Sequence, residues 1–136
     1  MVYQNPVREL EAWWNETADF SGSYEGEIPI CCEIRMGTVA ERLKIWLSGG
    51  LELCYNAFSG MFRMEFADSK LGAGRTLRER KIGFLKNLRI LVDVSCVEVF
   101  LNDGKDVFST RFYPEKDEYC LRVVSNGEKG QICFRR

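Results

Sequence analysis

A run of alternating side chains between Leu88 and Tyr113 constrains the fold of this chain more than any other stretch. Residues 88–92 and 97–101 carry aliphatic side chains at every second position, and this period of two is typical of half-buried β-strands. Val94-Ser95 is suited to a tight turn between the first two strands, and Asn102–Lys105 to a turn before a third. The stretch therefore predicts a meander of three antiparallel strands.

The length of the second turn decides which side chains of the third strand are buried. Its Asp-Gly pair suits a two-residue type I′ loop, which puts Phe108, Thr110 and Phe112 on the aliphatic side. A three-residue loop would put Ser109 and Arg111 there instead. Burial of the apolar side chains therefore favours the two-residue loop.

The same stretch carries a family signature. The sequence from Asp93 to Gly104, DVSCVEVFLNDG, resembles the D-x-S-x-V-E-V-F-x-N-D-G pattern of the C-terminal β-sandwich of family 32 glycoside hydrolases, which include invertases, fructanases and sucrose-6-phosphate hydrolases. Val94 replaces a common basic residue and Cys96 a common small hydroxyl residue, and neither change disturbs a turn. The similarity extends from about Pro6 to the end and is greatest to the bacterial sucrose-6-phosphate hydrolase branch. The signature positions are Asp93, Ser95, Glu98, Phe100, Asn102 and Gly104.

The resemblance implies a module without a catalytic site of its own. In the family, the nucleophile and the acid/base lie in an N-terminal five-bladed propeller, within motifs of the W-x-N-D-P-N-G, R-D-P and E-C types. None of these motifs occurs in this sequence, and Cys32-Glu33 has the residues of the last motif in reverse order. The expected function is that of a non-catalytic module of a β-fructofuranosidase, which stabilises the catalytic propeller or mediates oligomerisation.

The rest of the chain adds further short strands and no helix of convincing length. We predict strands at residues 27–35, 41–47, 51–56, 61–67, 119–124 and 131–134, a loop at 19–26 and a solvated, charged connection at 75–81. Residues 7–13 fit a strand or a short helix, and the resemblance favours a strand. The last two strands are expected to form a hairpin around Asn126-Gly127, and Pro29 confines the start of its strand to an edge or a bulge.

About ten short strands at regular spacing predict an all-β fold, an antiparallel β-sandwich of jelly-roll or concanavalin-like type. The expected organisation is a linker at residues 1–6 and a single sandwich module at residues 7–136.

Composition excludes several classes of function. The 136 residues have a net charge of −1, with 46% hydrophobic and 29% charged residues, so there is no electrostatic basis for binding nucleic acid. No apolar run approaches the roughly 20 residues that span a bilayer. No cofactor is expected, and zinc is disfavoured because the chain has no histidine and no CxxC pair.

The six cysteines are open to two interpretations, a disulfide framework in a secreted domain or reduced thiols in strands. The adjacent pair Cys31-Cys32 points to opposite faces of a strand and cannot readily form a bond with itself. No basic-then-apolar leader opens the chain, so reduced thiols and a cytoplasmic location are favoured. The other four cysteines fall in strand-like runs, at Cys54, Cys96, Cys120 and Cys133.

Two carboxylates of the meander are the candidates for independent catalysis. A tight first turn sets Asp93 opposite Cys96, so that Asp93 and Glu98 lie diagonally on one face at a Cβ separation of ~7–8 Å. The carboxyl groups of inverting glycosidases lie ~6.5–9.5 Å apart, so distance alone permits such a pair. Local roles explain both residues better, because Asp93 can accept from the Ser95 amide and Glu98 lies diagonal to Arg111. We therefore predict that the chain is not an enzyme by itself.

Aromatic side chains are the candidates for contact with a sugar or with the propeller, because aromatic rings stack on the apolar faces of pyranose and furanose rings. These candidates are Trp13, Trp14, Trp46 and Tyr55. Only one of Trp13 and Trp14 can face the core from a strand, so the other is exposed or lies in an interface. The alternative function is accordingly a free-standing carbohydrate-binding module for sucrose or fructan. Self-association through an exposed apolar patch is also expected.

Overall fold

The computed structural model describes residues 16–29, 31–47, 50–66, 77–93, 96–111 and 118–134. Within these ranges the chain forms ten β-strands and no helix, so none of them contains a helix able to cross a membrane. The strands are β1 (Glu16–Pro29), β2 (Cys32–Met36), β3 (Arg42–Leu47), β4 (Leu51–Asn56), β5 (Met61–Phe66), β6 (Leu77–Lys81), β7 (Leu88–Val92), β8 (Cys96–Leu101), β9 (Asp106–Arg111) and β10 (Glu118–Phe134). The predicted all-β class is confirmed.

The two long strands β1 and β10 hold the fold together. β1 pairs with β10 from one end to the other. The opposite edge of β10 is shared, because residues 121–125 pair with β3 and residues 130–134 pair with β2. Two branches therefore leave β10, in the orders β3-β4-β5-β6 and β2-β7-β8-β9. We call these the first layer and the second layer.

The two layers enclose one hydrophobic core. In β3, β4 and β7 every second side chain is buried, as the period of two predicts. Ile45 of the first layer and Ile90 of the second are both inaccessible to solvent. Phe62 of β5 contacts Phe108 of β9 across the core, with ring centroids 5.3 Å apart. Burial of each such side chain contributes about 1.5–3 kcal/mol, so this core is the main source of stability.

The first turn of the central meander has the predicted register. Val92 pairs with Val97. The amide of Asp93 donates to the carbonyl oxygen of Cys96 at 2.9 Å, which places these two residues opposite each other as expected. Residues 94–95 lie outside the described ranges.

The second turn also matches the prediction. The pairing of β8 with β9 is that of a two-residue loop. Its central residues, Asp103 and Gly104, have φ angles of 59° and 84°, as in a type I′ turn, and Asn102 before them is also left-handed, with a φ of 53°. Phe108 and Thr110 are buried on the aliphatic side as expected. Phe112 lies outside the described residues.

The expectation of a loop at residues 19–26 is wrong. These residues belong to β1, whose pairing with β10 continues on both sides of a register shift between Ser21 and Ser23. Gly22 lies in this shift with a φ of 80°, a conformation that glycine adopts without strain. The small residues of this stretch therefore form a β-bulge and not a loop.

The predicted hairpin around Asn126-Gly127 is also wrong. β10 runs without reversal from Glu118 to Phe134. In the pairing with β1, the four residues 125–128 of β10 lie opposite a single residue, Gly22. The Ser125 hydroxyl donates to the Gly22 carbonyl oxygen at 2.8 Å. The Asn-Gly pair thus lies in a large bulge where β10 passes from the first layer to the second.

The strand predicted at residues 27–35 is divided in two. β1 ends at Pro29 and β2 begins at Cys32. Pro29 ends a strand that pairs on one side only, as expected of a residue without an amide hydrogen. The three strands predicted between residues 41 and 67 are confirmed as β3, β4 and β5.

The predicted connection at residues 75–81 contains strand β6. Its residues pair with β5 along the free edge of the first layer. Four of its five residues are charged, so the strand has no alternation of apolar and polar side chains to reveal it. Charged side chains are common on edge strands, where they discourage pairing with a further strand. The strand predicted at residues 7–13 lies outside the described ranges.

Candidate functional site

The Asn-Asp-Gly end of the signature fastens a neighbouring loop. Asn102 Oδ1 accepts a hydrogen bond from the Lys86 amide at 2.7 Å, and Asn102 Nδ2 donates to the Phe84 carbonyl oxygen at 2.9 Å. Asp103 accepts from Asn87 Nδ2 at 2.9 Å, and the Asp103 amide donates to Asn87 Oδ1 at 2.8 Å. These bonds tie the loop between β6 and β7 to the β8–β9 turn. The sequence indicated only a turn here, because the partners of the turn are distant in the chain.

The two candidate catalytic carboxylates share the outer face of the second layer, in the diagonal arrangement that was predicted. Asp93 is exposed and accepts a long hydrogen bond from Cys31 Sγ at 3.4 Å. Glu98 is half-buried opposite Ser109 and diagonal to Arg111, which confirms the expected neighbourhood. Among the described contacts, no ion pair joins Glu98 to Arg111. Asp93 and Glu98 thus lie on the outer face of the sheet, where Asp93 is exposed and Glu98 is half-buried.

The remaining signature positions have structural places or lie outside the described residues. Phe100 lies between Arg89 and Val107 in the sheet register and is 6% exposed. Gly104 is buried in the turn, where its positive φ excludes most other residues. Ser95 is not among the described residues. Among the described signature positions, Phe100 is thus buried in the sheet, and Asn102 and Gly104 lie in the β8–β9 turn.

A buried carboxylate that the sequence did not single out lies in β2. Glu33 is inaccessible to solvent and lies between two guanidinium groups. Its Oε2 accepts from Arg35 Nε at 2.8 Å, and its Oε1 accepts from Arg89 Nε at 3.0 Å. Both carboxylate oxygens are engaged, so Glu33 is unsuited to act as a nucleophile or a general acid. The signal in the sequence was a glutamate two residues before an arginine on one strand face.

A groove of about 530 Å³ lies on the outer face of the first layer. Its polar lining carries three cationic and three anionic side chains, and it runs across β3, β4, β5 and β6. Ion pairs within it are long, with Lys44 Nζ 3.9 Å from Glu52 and Arg63 Nε 3.5 Å from Glu79. The lining residues are Arg42, Leu43, Lys44, Glu52, Cys54, Tyr55, Asn56, Ser59, Met61, Arg63, Glu65 and Glu79.

The aromatic candidates do not form a single platform. Trp46 is half-buried on the outer face of β3, with the Arg122 guanidinium 5.2 Å from its ring centroid. Tyr55 lies on the opposite, core side of the same layer, is 2% exposed, and donates from its hydroxyl to the Gly83 carbonyl oxygen at 2.6 Å. The structure therefore separates Tyr55 from Trp46. Trp13 and Trp14 lie outside the described residues.

Two arginines of β6 close the open side of the sandwich. Arg78 Nη1 donates to the Ser109 carbonyl oxygen at 2.5 Å, and Arg80 Nη1 donates to Asp106 Oδ1 at 3.1 Å. Both acceptors belong to β9, the free edge of the second layer. The predicted connection is instead a strand whose arginines bridge the edges of the two layers, while the predicted solvent exposure holds for Arg80, whose side chain is 58% exposed.

Two of the six cysteines, Cys32 and Cys54, have the properties of structural residues. All six lie in the described ranges, and none forms a disulfide there. Burial raises the pKa of the Cys32 thiol well above its usual value, and burial together with a hydrogen bond to Glu52 raises the pKa of Cys54 to about 11. Protonated thiols are weak nucleophiles and weak metal ligands. The described residues also contain no group of three or more side chains suited to hold a metal ion.

Comparison with known families gives one match over most of the chain. Residues 48–135 match the family described as "Glycosyl hydrolases family 32 C terminal". Sucrose-6-phosphate hydrolase of Salmonella typhimurium is 32% identical over 120 residues, which are 83% of this chain and 23% of that protein. A probable sucrose-6-phosphate hydrolase of Vibrio cholerae is 27% identical over 130 residues, which are 85% of this chain and 22% of that protein. The chain thus spans under a quarter of these relatives and matches only their C-terminal part.

A solved structure has the same fold. The sucrose-6-phosphate hydrolase from Lactobacillus gasseri superposes with a TM-score of 0.84 at 19% identity, over 98% of this chain and 31% of that one. At this level of identity the likeness establishes the sandwich fold alone.

Proposed function

Because the chain belongs to the glycosyl hydrolase family 32 C-terminal family, we propose that it is the non-catalytic module of a β-fructofuranosidase of the sucrose-6-phosphate hydrolase type. Its partner is then a family 32 catalytic propeller. In the full-length relatives this module is attached to such a catalytic domain. The observation that carries the proposal is the match to the C-terminal 22–23% of relatives, together with the signature from Asp93 to Gly104.

The hydrogen bonds of the signature support a structural role. The side-chain polar atoms of Asn102 are engaged by the backbone of the β6–β7 loop, and Asp103 exchanges two hydrogen bonds with Asn87. A catalytic or binding side chain has to keep its polar atoms available for a ligand. Asn102 and Asp103, two residues of the family signature, therefore rigidify one end of the sandwich.

The arrangement of carboxylates supports the absence of catalysis. A glycosidase needs two carboxyl groups across the scissile bond, one of them a general acid with a raised pKa. Asp93 is exposed at the end of β7, beside a turn. Glu33 is buried, and both of its carboxylate oxygens accept hydrogen bonds from the guanidinium groups of Arg35 and Arg89. None of these carboxylates has the surroundings of a general acid.

Two exposed aromatic side chains support a role in association. Phe58 is 86% exposed and Phe84 is 57% exposed. They lie in adjacent loops, because the amides of Ile82 and Gly83 both donate to the Gly60 carbonyl oxygen. This end of the sandwich differs from the apolar sheet face expected from the sequence. We propose that it contributes to contact with the catalytic domain or with a second copy of the chain.

We extend the proposal to organisation and location. Residues 7–136 act as one sandwich module after a linker at residues 1–6. The module works in the cytoplasm, where its six thiols remain reduced.

A hydrolysis assay tests the non-catalytic assignment. The purified chain is incubated with sucrose, sucrose 6-phosphate and a fructan, and released reducing sugar is measured. We expect no turnover above a buffer control. Turnover that disappears in both Asp93→Asn and Glu98→Gln would refute the proposal, because it would make these carboxylates a working pair.

A further inference from the structure

We propose that the groove on the outer face of the first layer binds a short neutral oligosaccharide. The groove has a volume of about 530 Å³, and sites for small molecules commonly measure ~300–1,000 Å³. It lies on the face opposite the core, so a ligand there leaves the packing of the sandwich undisturbed. A binding role at this face goes beyond the support of a catalytic domain.

The charges in the groove select a neutral ligand. Three cations and three anions line it, so the lining has no net charge. The alternation gives donors beside acceptors on neighbouring strands, and a sugar hydroxyl can donate to a carboxylate while it accepts from a guanidinium or an ammonium group. An anion such as a phosphosugar would be attracted by the cations and repelled by the carboxylates, so its charge would add little binding free energy. The cations are Arg42, Lys44 and Arg63, and the anions are Glu52, Glu65 and Glu79.

The ion pairs in the groove leave hydrogen-bonding capacity for a ligand. Arg63 lies 3.9 Å from Glu65 and 3.5 Å from Glu79, longer than the ~2.7–3.2 Å of N–H···O hydrogen bonds. These three side chains are each about half exposed, at 47–48%. By contrast, the contacts from Arg35 and Arg89 to the buried Glu33 are 2.6–3.0 Å. Ligand hydroxyls can therefore enter between the groups of the groove but not between those of the buried cluster.

Two aromatic residues, Trp46 and Phe58, lie next to the groove in sequence or strand register but do not belong to its lining. Trp46 of β3 pairs with Glu52 near the start of β4. Lys44 Nζ lies 5.8 Å from the centroid of the Trp46 ring. Phe58 follows the end of β4, in the turn whose Ser59 lines the groove. Aromatic rings stack on the C–H faces of sugar rings, while charged groups bind the hydroxyls. The alternating donors and acceptors of the lining are suited to the hydroxyl groups of an oligosaccharide and not to an apolar ligand.

The test is a titration of the full chain, labelled with ¹⁵N, followed by NMR. The probes are 1-kestose, sucrose and sucrose 6-phosphate, each added to about 20 mM, because an open groove that buries little of its ligand binds weakly. We expect 1-kestose to shift amide signals of β3, β4 and β5 on this face, with sucrose weaker and its phosphate no tighter than sucrose. No shift with any probe, or shifts confined to other surfaces, would overturn the proposal. Tenfold tighter binding of the phosphate would overturn the assignment of a neutral ligand.

Variants then test the residues of the groove. Arg63→Ala removes the central guanidinium and should raise the dissociation constant for 1-kestose about tenfold or more, the usual loss for a hydrogen bond to a charged group. Arg111→Ala, an exposed arginine on the outer face of the other layer, is the matched control and should leave it unchanged. Equal affinity in the Arg63 variant, or equal loss in both variants, would contradict the assignment. A thermal melt of each variant confirms that it is folded.

Discussion

Replacement of Glu33 by glutamine should remove a large part of the stability of this module. The side chain is fully buried, and each of its oxygens lies 2.6–3.0 Å from the nitrogen atoms of one guanidinium group. Glu33→Gln keeps the shape of the side chain but removes the buried negative charge that the guanidinium groups of Arg35 and Arg89 both contact. Breaking a buried pair in this way costs about 3–5 kcal/mol. The two arginine side chains keep 29% and 22% of their exposure, so some hydration remains and we expect the lower end, about 3 kcal/mol.

Urea unfolding followed by circular dichroism measures this loss. With a slope of roughly 2 kcal/mol per M for a chain of this size, about 3 kcal/mol lowers the midpoint by about 1.5 M. Glu65→Gln is the matched control, because Glu65 is 48% exposed and lies 3.9 Å from Arg63, so its loss should stay below about 1 kcal/mol. A loss in Glu33→Gln below about 1 kcal/mol, or no larger than that of the control, would refute the view that the buried charges depend on each other.

Three further predictions concern the signature loop, the buried thiol and the exposed aromatic residues. Asn102→Ala should lower the free energy of unfolding by about 3 kcal/mol in urea titrations, since it removes two hydrogen bonds and places alanine at a φ of 53°; a loss under about 1 kcal/mol would argue against the structural role of the signature. Burial raises the pKa of the Cys32 thiol above the ordinary 9.0, so above pH 9 the unfolded chain loses this proton while the folded chain keeps it. The contribution of the buried thiol to the free energy of unfolding is therefore complete below pH 9 and is lost as the pH rises above 9. The unfolding free energy should then fall about 1.4 kcal/mol per pH unit more steeply in the wild type than in Cys32→Ala, and equal slopes would contradict this. Phe58→Ser combined with Phe84→Ser should reduce self-association in sedimentation velocity, and unchanged association would exclude this end of the sandwich as the contact.

The parts of the fold that were predictable are those in which a period of two coincides with burial on one face. The meander and β3 to β5 meet this condition, because each of these strands has one face on the core. The turn at Asp103-Gly104 was predictable for a local reason, the positive φ angles that its residues tolerate. In these elements the local sequence is sufficient to predict the conformation.

The errors occurred where pairing to distant residues decides the conformation. Gly22 and Asn126-Gly127 have the composition of turns, yet they face each other in a bulge between two long strands. Neither residue reveals the other, because about a hundred residues separate them. β6 was missed for a related reason, since its charged side chains show no alternation and only its pairing with β5 makes it a strand.

The site was less predictable than the fold. The signature pointed to Asn102 and Gly104, but its purpose depends on the loop at residues 84–87, which no local pattern connects to it. Tyr55 and Trp46 were grouped by residue type, and the strand alternation that separates them depends on which residue of β4 faces the core. The groove arises from side chains on four strands, so no single segment of sequence contains it.

The central claim is that this module stabilises the catalytic domain and takes no part in catalysis. An exchange of modules tests it most directly. Three forms of the Salmonella typhimurium sucrose-6-phosphate hydrolase are compared: the intact enzyme, the enzyme without its C-terminal module, and the enzyme with this chain in that place. We expect the chain to raise the melting temperature of the catalytic domain above that of the shortened form. The kcat per folded molecule should remain unchanged when the chain carries Asp93→Asn. A hybrid that melts with the shortened form, or a kcat that falls with Asp93→Asn, would contradict the claim.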